Sequence, residues 1–322
     1  MFFTLILSSL LTFVELNCEN LFDTVHDSLK NDMDFTPESS YHWTNTRYWK
    51  KLNDLAKEII ALGGTKQSDE SVPGRWQLPD LVAMCEVEND SVMVALTKRS
   101  LLRHAGYEYL MTQSPDERGI DVALMYSPVS FRPLRSHSIR IKQLPETRPT
   151  RDILYVSGLL ASDDTLHVFV VHAPSRRGGE VASRPYRLQV ARQLAAAVDS
   201  IYALNTQAHV LVTGDFNDYS DSPALDSLYQ HRLSNISADA VGRNGAKGTY
   251  RYRGEWRSLD QMLCSPAMAA RKEDCCVGDL EFLLEEDEKY GGVRPYRTYQ
   301  GPKYKGGYSD HLPLVARFRL GK

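Results

Sequence analysis

A long membrane-spanning run, a strong charge excess, a disulfide framework and internal repeats are all missing from this sequence, and each absence removes a class of function. The 322 residues carry a net charge of -3, which argues against a strongly basic nucleic-acid coat protein but leaves room for a local basic groove. The five cysteines, Cys18, Cys85, Cys264, Cys275 and Cys276, have spacings that suit neither a zinc site nor a disulfide scaffold. Cys18 and Cys85 lie in apolar strand-like runs, where a thiol behaves as a small hydrophobe. The start, "MFFTLILSSLLTFVELN", is apolar over about 14 residues, short of the ~20 that a membrane helix needs. It lacks the basic region and small-residue cleavage site of a secretory signal. The run 1–13 therefore reads as the beginning of the first strand or as a truncated export signal fused to it. The second reading is preferred, and with it export to the periplasm or beyond, a cytoplasmic location being the alternative. With no linker or boundary, residues 14–322 read as a single domain.

What is present is an alternation of strand-like and helix-like segments, the mark of an α/β fold. "TFVELN", "DLVAMCEVE", "GIDVALMYS", "LHVFVVHAP", "HVLVTGDFN", "SLDQMLCS" and "LPLVARFRL" read as strands. "NTRYWKKLNDLAKEIIALGG" is helical, with Trp49, Leu52, Ala56 and Ile59 on one face and a glycine stop. "SVMVALTKRSLL" is a second helix, and a third runs from Tyr186 with Pro185 in its first turn. "TKQSDESVPGRWQLP" is a surface loop, and the acidic "LLEEDEKYGG" a solvated helix face or loop.

Several strands end on a polar or ionisable residue: Asn17, Glu86, His172, Asp215 and Asp260. Strand ends on one side of a sheet are where α/β proteins build sites. In "LVTGDFNDYSDSPAL" an apolar run breaks at Gly214 and presents Asp215 and Asn217, which a strand would aim the same way. Asp218 and Asp221 read as parts of the following turn. Asn17, Glu86, Asp215 and Asp310 are hard oxygen donors of the kind that suit Mg²⁺ or Mn²⁺. His172 and His311 could then transfer protons or stabilise charge. Taken singly, each has a structural alternative: Glu86 as a cap for the next helix, His172 and Asp310-His311 as turn residues. Together they suit metal-assisted hydrolysis of a phosphate ester.

The segments "LNCENLFD", "CEVEND", "RGIDVALMYSP", "VHAPSRRGG", "TGDFND", "GTYRYRGEWRSLDQML" and "GGYSDHLPL" follow one another in the order of the endonuclease/exonuclease/phosphatase superfamily, which this chain resembles from Asn17 to Leu314. The family includes deoxyribonuclease I, abasic-site endonucleases, neutral sphingomyelinases and inositol polyphosphate 5-phosphatases, and the likeness is closest to bacterial predicted extracellular nucleases. The resemblance implies a four-layer sandwich, two mixed β-sheets packed face to face with helices outside. It implies that Asn17, Glu86 and Asp310 help to hold the metal, that Asp215 positions or activates the attacking water, that Asn217 contacts the scissile phosphate, and that Asp260 orients His311. His172 matches the deoxyribonuclease and phosphatase branches, where abasic endonucleases place a tyrosine. Arg118 and Thr249 fall near substrate-contacting positions of nuclease members.

Two segments exceed the minimal fold, the loop at residues 67–77 and the stretch 273–305. The latter interleaves Tyr290, Tyr296, Tyr299 and Tyr304 with Arg294, Arg297, Lys303 and Lys305, either a nucleic-acid-stacking surface or a loop packed on the body. Arg251 and Arg253, on one face of a strand just before Asp260, are expected to line a phosphate-binding rim. Nucleic acid is the expected substrate, with a small phosphate ester or a phospholipid as the alternative. A catalytically dead binding module is disfavoured, because the whole residue set is retained. No protein partner is implied, and the chain is expected to be monomeric.

Overall fold

In a computed structural model of the chain, described for residues 10–64, 77–145 and 147–320, two six-stranded sheets lie face to face. The first sheet contains β1 (Leu10–Leu21), β2 (Leu81–Val87), β3 (Glu108–Met111) and β4 (Asp121–Tyr126). The second contains β5 (Phe131–Ile139), β6 (Ile153–Leu160), β7 (Thr165–His172), β8 (His209–Asp215) and β9 (Ser234–Asn235). After a small hairpin, β10 (Tyr250–Tyr252) and β11 (Glu255–Arg257), the chain returns to the second sheet with β12 (Asp260–Cys264) and to the first with β13 (Lys272–Val277). Two more hairpins follow, β14 (Leu284–Glu286) with β15 (Val293–Pro295) and β16 (Tyr299–Gln300) with β17 (Lys303–Tyr304). The last strand, β18 (Leu314–Arg319), inserts between β13 and β1. The strand orders are β13-β18-β1-β2-β4-β3 and β5-β6-β7-β8-β12-β9. Both sheets are mixed, with β1–β2 and β7–β8 the parallel pairs.

Side-chain alternation explains the layers. On β1, Leu11 and Phe13 enter the core between the sheets, while Val14, Leu16 and Cys18 face outward. The outward face is covered by α1 (Asn45–Leu62), which lays Leu52, Leu55, Ala56 and Ile59 on it. A short α2 (Asp90–Val94) runs on into a π turn through Arg99, shorter than the helix that the pattern predicts. The outer face of the second sheet is covered by α3 (Glu180–Leu204) and α4 (Pro223–Tyr229). The four-layer sandwich is thus the observed fold. A last helix, α5 (Pro266–Ala269), is a single turn capped by Ser265. No helix among the described residues is long and apolar enough to cross a membrane.

Some expectations are corrected. Helix α3 starts at Glu180, so Pro185 lies inside it rather than in its first turn. The stretch from Glu273 is not wholly an insertion, because β13 is an edge strand of the first sheet. Adjacent Cys275 and Cys276 sit on that strand, pack toward opposite faces and are free thiols, as are the other three cysteines. "LLEEDEKYGG" forms a strand and turn, not a helix. The apolar start enters β1 at Leu10, and residues 1–9, like most of the 67–77 loop, lie outside the described residues.

Candidate active site

Three neighbouring strands of the second sheet carry the centre. In the pairing register His172 on β7 lies beside Asp215 on β8, and Asp215 lies opposite Asp260 on β12. A glycine makes the first of these alignments feasible. Gly214 has φ +135°, and a Cβ built on it would meet the Val171 carbonyl oxygen at 1.9 Å. Only a residue without a side chain lets β7 and β8 approach so closely there.

Asp215 is nearly buried, yet its carboxylate is well partnered. Oδ1 accepts the Asn217 backbone N–H at 2.7 Å, and Oδ2 accepts Nδ2 of Asn217 at 3.1 Å and Nδ2 of Asn17 at 3.2 Å. Asn217 takes φ +49°, a left-handed conformation that asparagine tolerates better than most residues. Burial pushes the Asp215 carboxyl above the usual carboxylate range, opposed by the charge on His311. On the facing sheet, Asn17 ends the regular pairing of β1 with β2. Glu86 interrupts β2 with φ +63° at a register shift, a strained conformation that commonly accompanies function. Its Oε2 accepts the Asn20 N–H at 2.9 Å, and its Oε1 lies 3.3 Å from Arg118 and 3.7 Å from His172 Nε2.

The two histidines are driven in opposite directions. His172 Nε2 lies 3.6 Å from Asp215 Oδ2, and its Nδ1 is buried without a hydrogen-bond partner. Burial lowers its proton affinity well below the usual histidine range, reinforced by Arg151 and Arg118. For His311 burial acts the same way, but is outweighed by Asp260, Asp215 and Asp310, so its affinity is raised well above that range. Its Nδ1 meets Asp260 Oδ2 at 2.7 Å, and Tyr250 packs against the ring at 4.9 Å. One neutral and one charged imidazole therefore share a cleft, an arrangement that separates acid from acceptor roles.

The structure brings together Asn17, Glu86, Arg118, His172, Asp215, Asn217, Asp310 and His311 along one cleft of about 1440 Å³. Asp260 lies beneath it, reached through His311. Thr249 and Arg251 are placed elsewhere. Thr249 is fully buried and donates its hydroxyl to Asp260 Oδ2 at 2.5 Å, so it supports the Asp260–His311 pair instead of touching a ligand. Arg251 is only 7% exposed and spends its guanidinium on the carbonyls of Gly254, Val293 and Gly291 and on Asp287. It pins the β14–β15 hairpin and faces away from the cleft. Asp218 forms a buried ion pair with Arg187 at 2.8 Å, in keeping with the structural reading of the turn.

Sequence reasoning passed over Glu15 and Glu19, and named Arg297 only as one cation of the Tyr/Arg-rich stretch. Arg297 holds Asp310 at 2.9 Å and lies 3.4 Å from Glu19. Glu19 is buried and accepts the N–H groups of Thr298 and Tyr299. Glu15, inward-facing on β1, is fully buried with both carboxyl oxygens unpartnered, and burial together with Asp260 and Asp215 raises its pKa well above the usual range. A carboxylate set at an inward position among apolar neighbours, Phe13, Val14 and Leu16, was the available signal. Most of the 290–305 segment packs on the body: Tyr299 is buried, and Arg294 and Lys305 pair with Glu285.

The sequence profile of the Endonuclease/Exonuclease/phosphatase family matches residues 12–319. The chain belongs to that family. It is therefore a hydrolase of phosphoric esters. No curated protein sequence matches it. Among solved structures, an endonuclease/exonuclease/phosphatase family protein from Bacteroides thetaiotaomicron is 13% identical at TM-score 0.60, covering 96% of this chain and 97% of that one. A mannosyl-6-phosphatase from the same organism is 13% identical at TM-score 0.62, with 95% and 98% covered. D. rerio TDP2 complexed with a single-strand DNA product is 14% identical at TM-score 0.56, with 96% and 99% covered. At such identities the likeness concerns the fold alone.

Proposed function

We propose that the chain is a divalent-metal-dependent phosphodiesterase that hydrolyses nucleic acid. The observation that carries this reading is the shape and lining of the cleft. One lip, from the segment after β1, offers Phe35 and Tyr41, with Tyr41 backed by the buried Tyr299 ring at 4.8 Å. The other, from the β5–β6 connection, offers Lys142, Gln143 and Arg148. A site for one phosphoryl group needs no such breadth, whereas a strand crossing the centre would meet rings on one side and cations on the other.

The donor set fits a hard cation. Asn17, Glu86 and Asp310 are oxygen donors lining the cleft, and the acids Glu19, Glu86, Asp215 and Asp310 gather there against Arg118 and Arg297. Asn17, Glu86 and Asp310 would hold Mg²⁺ or Mn²⁺, which supplies positive charge to the phosphoryl oxygens. Asp215, rigidly held by Asn17 and Asn217, orients the attacking water and accepts its proton. Asn217, whose Nδ2 donates to Asp215 Oδ2 and to the Ala173 carbonyl at 3.1 Å each, would exchange one of these acceptors for the scissile phosphate, and neutral His172 adds a further donor. His311, kept charged by Asp260, stabilises the negative charge that develops on the phosphoryl oxygens and gives its proton to the departing oxygen.

The test is a substrate panel with purified protein in Mg²⁺: plasmid DNA, RNA, abasic duplex, inositol phosphates, sugar phosphates and sphingomyelin. Cleavage of DNA or RNA is expected, falling steeply as salt rises. Intact nucleic acid alongside hydrolysis of a sugar phosphate, an inositol phosphate or sphingomyelin would replace this reading with the phosphatase or lipid phosphodiesterase alternative.

A further inference from the structure

Beside the centre, on the side of β7, β8 and β12, a tyrosine is clasped by two arginines. Tyr219 lies two residues beyond Asn217. The Arg176 guanidinium carbon sits 4.3 Å from the Tyr219 ring centroid, and that of Arg257 sits 5.1 Å from the same ring. Arg176 belongs to the loop after His172, and Arg257 ends β11 just before Asp260. All three residues are thus tethered within a few positions of the centre.

Neither guanidinium of this stack is tied up in an ion pair. Among the described residues neither Arg176 nor Arg257 has a carboxylate within ion-pair distance, while Arg184, Arg187, Arg251, Arg294 and Arg297 are all paired. Nη1 of Arg176 is shut off from solvent and hydrogen-bonds nothing. Glu180, the acid in electrostatic reach of Arg176, has both oxygens engaged by Arg184 at 2.8 and 2.7 Å. An unpaired guanidinium nitrogen withdrawn from water is costly unless an anion completes it.

The stack also stands between two clefts. Arg176 and Tyr219 line the main one, and Arg257 lines a shallower one of about 700 Å³ together with Lys247 and Trp256. Both guanidinium groups lie over the one ring, which holds the two positive charges close together between the clefts.

We infer that Arg176, Tyr219 and Arg257 form a second phosphate subsite, which holds a backbone phosphate of the substrate strand beyond the scissile one and leads that strand over the ridge toward Lys247 and Trp256. This inference rests on the nucleic-acid reading of the centre. It implies that a substrate with a single phosphate misses part of the binding energy.

The experiment compares wild type with Arg176→Gln, Arg257→Gln and the double variant, each checked for an unchanged melting temperature. Metal-free binding of a single-stranded oligothymidylate is followed by fluorescence anisotropy over a salt series, and KM and kcat in Mg²⁺ are measured on the same oligonucleotide and on the p-nitrophenyl ester of thymidine 5′-phosphate. For the double variant we expect Kd and KM on the oligonucleotide to rise at least about tenfold. The logarithmic salt slope should fall by roughly 0.7, the value for one lost phosphate contact to a single strand. The loss should lie in KM and be much smaller on the single-phosphate ester. An unchanged slope and KM, or an equal loss on both substrates, would overturn the subsite. Should the wild type cut no nucleic acid, the function proposed above falls, and metal-free binding of tripolyphosphate against orthophosphate decides the subsite: a preference lost in the double variant upholds it, and a preference kept overturns it.

Discussion

Asp218→Asn separates the two acids that the sequence sets three residues apart. Asp218 and Arg187 are both buried, with side chains 2% and 0% exposed, and Nε donates to Oδ2 at 2.8 Å. Arg187 also donates to the Ser183 hydroxyl at 2.8 Å and to the Glu180 carbonyl at 3.3 Å. Removing one partner of a buried pair leaves the other charge uncompensated and costs about 3–5 kcal/mol. The Glu180 carboxylate, 3.6 Å from Arg187, softens that loss, so the lower end of the range applies. At about 2.1 cal/mol/K of unfolding entropy per residue, a chain of 322 residues loses roughly 1.5 °C of melting temperature per kcal/mol, so the variant should melt roughly 4–5 °C lower. Its turnover, assayed well below that transition, should stay within about threefold of wild type, because Asp218 touches nothing in the cleft. Replacing both members, Arg187→Met with Asp218→Leu, should recover most of the lost stability, since apolar pairs of similar volume often replace buried ion pairs without cost. Calorimetry and a turnover assay on the same samples decide the matter. An unchanged melting temperature with turnover lost by orders of magnitude would move Asp218 into the active site and refute this reasoning.

The remaining predictions concern the centre itself. Asp215→Asn should lose nearly all turnover and yet raise the melting temperature of the metal-free protein above neutral pH. A carboxyl whose folded pKa is raised costs stability once pH exceeds its unfolded value, so wild type should gain on the variant as pH falls toward 4; a variant that melts lower at all pH values would contradict this. His311→Ala should cut turnover by roughly two to four orders of magnitude, and Asp260→Asn should act in the same direction through the loss of the 2.7 Å contact; near-wild-type rates would remove the pair from the mechanism. Chelation with EDTA should abolish activity and Mg²⁺ or Mn²⁺ restore it, with Glu86→Gln requiring more metal in a titration; full activity in chelator would end the metal proposal.

The strand-end residues were legible because an apolar run that stops at a polar group is a local signal. Asn17, Glu86, His172 and Asp215 stand where strands end or break, whereas Asp260 opens β12 and precedes its apolar run. Helix α1 was legible for the same reason, its apolar face and glycine stop lying within one window. Arg251 was misplaced because its partners, the carbonyls of Gly291 and Val293, sit on a hairpin some 40 residues away, and propensity carries no information at that range. Thr249 was drawn to the site by its motif, but only the tertiary structure shows that its hydroxyl meets Asp260, eleven residues on. Glu15 went unnoticed because a strand reading assigns a face without saying what lies across it. The start of α3 was misjudged because proline is tolerated in a helix's early turns, so Pro185 marks the boundary only loosely.

The placing of β18 between β13 and β1 bears on how the molecule is made. The second sheet draws all its strands from residues 131–264, so it can pair fully while the chain is still emerging from the ribosome. The first sheet cannot: β1 must wait, with one edge unpaired, until Leu314–Arg319 arrives. That final stretch follows directly on Asp310 and His311. Hydrolytic activity and closure of the first sheet should therefore appear together, late in synthesis, and a nascent chain stalled before β18 should carry a finished second sheet, an exposed β1 edge open to intermolecular pairing, and no catalysis.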